Sequence, residues 1–316
     1  MSTNTITIIV FSAVLILALV FDLGLLSKKN KEVTMRQAFR QTVFWVALAF
    51  AFFGFMWFEK GRQPAIEYIS AYLMEWSLSI DNIFVFILIF TSFSVNKKYY
   101  SRVLLIGILM AIIFRILFIT VGVALVHRFE WILYLFGAFL VYTGYRMFVA
   151  DEDKKFNPET SKPYKFVKRI FPLSMTDGNG KFWIIENGKR VYTTLFVVVM
   201  MLASIDLVFA LDSIPAVMGI SRDSLVIYTS NIFAVLGLRS LFFLLRGAVN
   251  KFEYLQHGIA VVLVFIGLKM LAAKWIDEWL NTTQQVFISL GVIVVCVTSS
   301  IVFSIFKNRG KAVAEG

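Results

Sequence analysis

Four carboxylates sit inside long apolar runs at matched spacing. One stretch reads Glu75-Trp-Ser-Leu-Ser-Ile-Asp81-Asn82, and a second reads Asp206-Leu-Val-Phe-Ala-Leu-Asp212-Ser213-Ile-Pro215. Each places an acid, five residues, then an Asp followed by a small polar residue. Position 75 maps on 206 and 81 on 212, both at an offset of 131. An acid at mid-membrane depth costs about 2.5–3.5 kcal/mol on insertion scales unless it is paired or holds a cation, so each of the four is a candidate functional residue. With Asn82 and Ser213 beside them, the donor set is rich in oxygen. Hard divalent ions such as Mg²⁺, Ca²⁺ and Mn²⁺ prefer such donors, whereas Zn²⁺ and Cu⁺ usually take His or Cys. The only cysteine is Cys296, and the two histidines, His127 and His257, form no spaced pair. A thiolate cluster and a disulfide framework are therefore excluded.

On a regular helix, residues six apart are rotated by about 120°. Glu75 and Asp81 would then not face one cavity, nor would Asp206 and Asp212. Two arrangements remain open. In one, the helices unwind near Ser79–Asp81 and Ala210–Pro215 and both acids turn inward; Pro215 supports this by freeing the carbonyl near Leu211. In the other, one acid of each pair binds cargo and the second meets an arginine. Arg115 and Arg239 lie within apolar runs and are candidates to neutralise the acids. Arg246 reads equally as a snorkelling side chain near a span end. Asp22 is a weaker candidate, near the inner end of span 1, and reads better as an interfacial capping or loop-contact residue. Met200, Met201 and Met218 read as packing. An aspartyl protease pair is disfavoured, because neither Asp81 nor Asp212 stands in a Gly-x-Gly-Asp context. No enzymatic role and no catalytic residue is expected.

The elements that must position these acids follow from composition. The chain has 316 residues, 59% hydrophobic and 16% charged, with a mean hydropathy of +0.78. That much apolar surface reads as a polytopic membrane protein built of helices. Nine spans are expected, beginning near Ile6, Thr42, Ala65, Val103, Trp131, Thr193, Leu225, Tyr254 and Gln285. The N-terminus lacks a basic region and a small-residue cleavage site, so the first apolar run is read as a retained span. The long polar segment 150–191 holds Asn157-Pro158 and Phe171-Pro172 and is read as a loop, with a hairpin around Lys181 to Val191 turning at an Asn-Gly pair.

The formal net charge is +11. Alternate loops collect 23 of the 31 Lys and Arg on one side and five on the other, and three lie within spans. The positive-inside rule then puts the N-terminus outside and the long loop and C-terminus in the cytoplasm. This distribution fits topogenesis and anionic headgroups better than nucleic acid, so membrane lipid is an expected partner and nucleic acid is not.

The duplication reaches beyond the acids. Arg115 maps on Arg246 at the same offset of 131, and Gly144-Tyr-Arg146-Met147 matches Gly267-Leu-Lys269-Met270 at 123. Spans 3–5 thus repeat as spans 6–8. A unit of three spans crosses an odd number of times, so the second copy is inverted in the membrane, a common transporter plan with its site near the midplane. The expected divisions are 1–63 (two N-terminal spans), 64–149 (first unit), 150–191 (cytoplasmic loop), 192–274 (second unit) and 275–316 (last span and basic tail).

Glu75-x5-Asp81-Asn82, Asp206-x5-Asp212-Ser-Ile-Pro-Ala and Ser230-Asn231-Ile-Phe-Ala-x-Leu-Gly-Leu-Arg239-Ser resemble the TerC family of integral membrane proteins, and its Alx-like branch in particular. The resemblance runs from Asp22-Leu-Gly to the last span. It implies a bacterial inner-membrane protein of about nine spans, associated with tellurium resistance and, in that branch, with manganese export, within the wider lysine-exporter superfamily. It carries the functional role onto Glu75, Asp81, Asp206 and Asp212, and also onto Asp22, Asn82, Ser213 and Asn231.

The expectation is a Mn²⁺ exporter working by alternating access, with Asp81 and Asp212 as first ligands and Glu75 and Asp206 completing the site or carrying protons. The ion is cargo, and no resident cofactor is implied. A carboxylate that loses its ion in a dry cavity takes up a proton, because burial penalises the charged form. An exporter of a cationic or zwitterionic organic solute, and a non-transporting scaffold docking partners on the basic loop, are the alternatives. Oligomeric state is not legible from the sequence.

Overall fold

The computed structural model describes residues 3–26, 33–149, 161–174, 176–186, 188–246 and 254–314. It is a bundle of helices: α1 (Thr3–Leu26), α2 (Met35–Lys60), α3 (Arg62–Ser92), α4 (Tyr100–Arg128), α5 (Ile132–Val149), α6 (Lys162–Ile170), α7 (Thr194–Met218), α8 (Ser224–Leu245), α9 (Leu255–Leu271), α10 (Ala273–Trp279) and α11 (Thr282–Ala314). A two-stranded antiparallel hairpin, β1 (Trp183–Glu186) and β2 (Lys189–Tyr192), precedes α7. The protein is an all-α polytopic membrane protein apart from this hairpin.

Among the described residues, seven helices are long and apolar enough to cross a membrane: α2, α3, α4, α5, α7, α8 and α11. The pair α9 and α10 passes the same test together but is bent by 81° at its junction, which makes eight if it counts as one span. In α1 the apolar segment among the described residues is the shorter Thr5–Leu17. Nine spans were expected. Eight of the expected starts, from Thr42 to Gln285, fall within or one residue before the seven helices and the bent pair, and the first, near Ile6, falls in α1; the chain leaves the axis of α9 after Leu271.

Polar residues at the helix starts explain several boundaries. Thr34 and Gln37 form a reciprocal cap on α2, with Gln37 N donating to Thr34 Oγ1 at 3.3 Å and Thr34 N donating to Gln37 Oε1 at 3.1 Å. Asp223 accepts from Leu225 N at 2.8 Å and starts α8. Ser161 caps α6, whose second residue is Pro163. This helix lies in a segment where the sequence suggested only a loop and a hairpin.

Cross-loop bonds sort the connections into two ends. At one end Lys60 pairs with Asp223 at 3.3 Å, and Thr283 Oγ1 lies 3.5 Å from Gln63 Oε1. At the other, Arg102 donates to the Gly180 carbonyl at 2.9 Å, and Tyr254 N donates to Ser304 Oγ at 3.0 Å. The successive long helices therefore alternate in direction, as membrane spans joined by short connections must.

The most extensive pairings are α5 with α9, α3 with α8, and α4 with α7. Glycines bring α5 and α9 into backbone contact. A Cβ on Gly267 would meet the Gly137 carbonyl at 2.6 Å and the Val141 side chain at 2.8 Å. A Cβ on Gly144 would meet the Ala260 carbonyl at 2.8 Å and the Val264 side chain at 2.6 Å. Adding 123 to 137, 141 and 144 gives 260, 264 and 267, so the offset seen in the sequence exchanges one set of contacts for the other.

Candidate functional site

The helices that bear the acids run unbroken. α3 continues from Arg62 to Ser92 through Glu75 and Asp81, and α7 continues from Thr194 to Met218 with Pro215 inside it. On α7, Asp206 and Asp212 therefore point in different directions, as six residues of regular helix require.

Glu75 from α3 and Asp206 from α7 meet at one guanidinium, that of Arg115 on α4. Arg115 Nε donates to Asp206 Oδ2 at 3.0 Å and its NH2 to Asp206 Oδ1 at 3.2 Å, a two-pronged pairing. Its NH1 donates to Glu75 Oε1 and, at 3.2 Å, to the amide oxygen of Asn231 on α8. Asn231 is oriented by its own amide nitrogen, which donates to the Ile227 carbonyl at 2.9 Å. Four helices, two from each sequence unit, thus place one polar side chain each into a single hub. Arg115, Glu75, Asp206 and Asn231 are all at most 1% exposed. Two carboxylates and one guanidinium leave the hub with a net negative charge.

The acid-bearing helices α3 and α7 also carry buried polar atoms that are not satisfied. Glu75 Oε2, Ser79 Oγ and Ser213 Oγ are buried without a hydrogen-bond partner. Native structures leave few such atoms, and each calls for an explanation. Here two of them lie within four residues on α3, and the third follows Asp212 on α7.

Asp212 lies apart from the hub. It is half-buried, accepts from Thr143 Oγ1 on α5 at 3.2 Å, and lies in the field of Arg146 one turn further along that helix. Asn82 is buried on α3 and Arg239 is buried on α8. The side chains of Asp81 and Asp22 lie outside the described residues. Among the described residues, no three His, Cys, Asp or Glu side chains are grouped so as to hold one metal ion. The structure therefore brings Glu75, Asp206, Asn231 and Arg115 together and keeps Asp212 separate.

The matched arginines have different partners. Arg115 meets Asn231, whereas Arg246 stacks over the Tyr100 ring at 4.7 Å. Residues 100 and 231 are also 131 apart, so the offset that relates the arginines relates their partners.

Two features were not singled out from sequence. Thr143, the partner of Asp212, immediately precedes Gly144 of the repeated segment. Glu67, eight residues before Glu75 on α3, is buried, accepts from Ser221 Oγ at 2.5 Å and from Gln63 Nε2 at 3.0 Å. It lines a cavity of about 620 Å³ at the end of the bundle that holds Lys60, with Glu130, Asp223, Asp277, Arg222 and Lys269 also in its wall. The spacing of Glu67 from Glu75 was its available signal. Lys269 donates to the Gly219 carbonyl at 3.3 Å and to Ser289 Oγ at 3.1 Å, tying α9 to the end of α7 and to α11.

Comparison with known proteins agrees with this architecture. Residues 60–312 match the integral membrane protein TerC family. The chain is 40% identical over 299 residues to an uncharacterised membrane protein of Myxococcus xanthus, covering 95% of this chain and 92% of that one. It is 36% identical over 301 residues to a membrane protein of Rickettsia bellii, covering 95% and 97%. An Escherichia coli K12 protein named "Putative membrane-bound redox modulator Alx" is 35% identical over 310 residues, covering 95% and 96%. No solved structure matches the chain. With the acidic segments, the arginine hub and the last span all inside the matched region, this chain belongs to the TerC family of integral membrane proteins.

Proposed function

We propose that the protein exports a divalent cation, Mn²⁺ foremost, from the cytoplasm by alternating access of two inverted three-helix units. The observation that carries this reading is the sharing of Arg115 by Glu75 and Asp206, which stand at equivalent positions of the two sequence units and are sealed from solvent. A buried site with net negative charge is costly unless a cation or a proton offsets it. Glu75 Oε2, Ser79 and Ser213 supply oxygen atoms that lack a partner. The exchange of packing contacts between α5 and α9 under one offset supports the repeat.

In this reading Arg115 competes with the cargo. The guanidinium holds Glu75 and Asp206 together, and an arriving cation takes over one or both carboxylates as the helices shift. Asp212, with Asp81 as its counterpart in the other unit, contacts the ion on its way. Partial neutralisation keeps the affinity moderate, which suits a carrier that must release its ion. Proton uptake by the vacated carboxylates couples export to a pH gradient. The site faces the bacterial inner membrane's two sides in turn, with the basic loops and the C-terminus in the cytoplasm and the N-terminus outside.

The test is Mn²⁺ flux in proteoliposomes, comparing the parent with Asp212→Asn, with and without a pH gradient. Flux that needs Asp212 and follows the gradient supports a proton-linked exporter. A folded parent that moves neither Mn²⁺ nor a competing divalent ion removes the proposal.

One observation favours a second reading. The cavity of about 620 Å³ is lined by side chains of both charge signs, which suits a zwitterionic organic solute. Competition of flux by lysine rather than by Mn²⁺ would select it. The redox modulation for which the Escherichia coli relative is named is not supported by thiol chemistry within this chain, because a thiol–disulfide couple in one chain needs two cysteines and Cys296 is alone.

A further inference from the structure

Outside the spans, the helix α6 combines positive charge with uncovered apolar surface on a single short element. The helix α6 reads KPYKFVKRI, with four bases and no acid. One face is buried: Val167 is 1% exposed, and the Tyr164 ring packs against the Phe93 ring at 5.5 Å. The other face exposes Phe166 at 63% and Ile170 at 52%. These are four residues apart and so lie one above the other. Lys165 and Arg169, also four apart, form the adjoining exposed row, and Lys168 is exposed beside them.

The position of α6 is fixed by packing. Phe171, the residue after it, meets the Phe196 ring edge-on at 5.0 Å, and Tyr192 meets the same ring at 4.4 Å. Phe196 is in the first turn of α7, so α6 is held where that helix enters the apolar layer. Tyr164 fixes it equally to Phe93, the residue that ends α3.

We propose that α6 docks on anionic lipid headgroups of the protein's own bilayer. A short helix with Phe and Ile on one stripe and Lys and Arg on the next matches an interface in which acyl chains lie beneath phosphates. The sign of the charge selects anionic headgroups. The bilayer surface is adjacent to α6 at all times, because the chain enters a span on either side of it, whereas a protein partner would have to be recruited. This surface is independent of the transported cargo.

The experiment is hydrogen exchange over residues 162–170 in the full-length protein, reconstituted in nanodiscs of phosphatidylcholine alone and of a phosphatidylglycerol-rich mixture. Exchange is expected to slow by about tenfold or more in the anionic discs. The variant Lys165→Gln/Lys168→Gln/Arg169→Gln changes only exposed side chains and is expected to lose that response while exchanging like the parent in phosphatidylcholine. Equal exchange of the parent in the two lipids overturns the proposal, leaving the surface to water or a protein partner. A response that persists in the triple variant also overturns it, since the bases would then not be the recognising groups.

Discussion

Glu75 and Asp206, 131 residues apart in sequence and on different helices, bind the same guanidinium. Arg115 reaches both, and Asn231 fills its remaining direction. Removing the arginine leaves two buried carboxylates facing one another. Arg115→Met is expected to destabilise the protein by about 3–5 kcal/mol, the range for breaking a buried pair by removing one partner. Adding Glu75→Gln and Asp206→Asn to that variant is expected to recover most of the loss. Thermal unfolding of the purified protein in detergent checks both, and an Arg115→Met protein as stable as the parent refutes the hub.

Asp212 is separate from the hub, and its variants should behave differently. Asp212→Asn is expected to keep the parent's unfolding temperature within a few degrees, because the half-buried carboxylate is replaced by an amide of the same shape. It is expected to abolish Mn²⁺ flux in proteoliposomes. Thr143→Val removes one hydrogen bond to that carboxylate and is expected to reduce flux without abolishing it. Equal flux in the parent and Asp212→Asn excludes Asp212 from the cargo path.

The crossing of α5 and α9 allows no side chain at its centre. Gly144→Ala and Gly267→Ala each place a methyl group under 3 Å from a facing carbonyl. Each is expected to cost about 1–3 kcal/mol by overpacking. Gly291→Ala, where a Cβ would meet nothing within 4 Å, is the control and is expected to be neutral or slightly stabilising. Unfolding curves that rank the three otherwise count against the close crossing.

The bond from Ser221 to Glu67 joins the start of α3 to the turn after α7. Ser221→Ala is expected to cost about 1.5–3 kcal/mol, the range for a hydrogen bond to a charged group. Thermal unfolding reads the cost, and a change below a few tenths of a kcal/mol would show that water replaces the serine at no penalty.

The acids were legible because an ionised side chain in an apolar run is conspicuous, and because the same spacing occurs twice. The span starts were legible for the same reason of contrast. The hairpin was legible from its turn: Gly188 holds a φ of +73° between β1 and β2. The pairing of Glu75 and Asp206 on one arginine was not legible, since helix periodicity gives the direction of a side chain on its own helix and not which neighbour it faces. Helix α6 was hidden because its apolar residues, Tyr164 and Val167 on one face and Phe166 and Ile170 on the other, form no single stripe. Its available signals were Ser161 as a cap and Pro163 in the first turn. The eighth span, expected over about Tyr254 to Ala273, ends close to the bend after Leu271, but the short helix α10 beyond it was not foreseen, because an apolar run shows where a span can lie and not what the chain does after it.

The 81° break between α9 and α10 has a consequence for how the protein meets bilayers of different thickness. It turns Trp275 and Trp279, 72% and 85% exposed, away from the bundle. Tryptophan partitions to the headgroup level, so α10 acts as a float that fixes the depth of this end of the molecule. A thinner or thicker bilayer must then be accommodated at the opposite end or by tilting of the whole bundle.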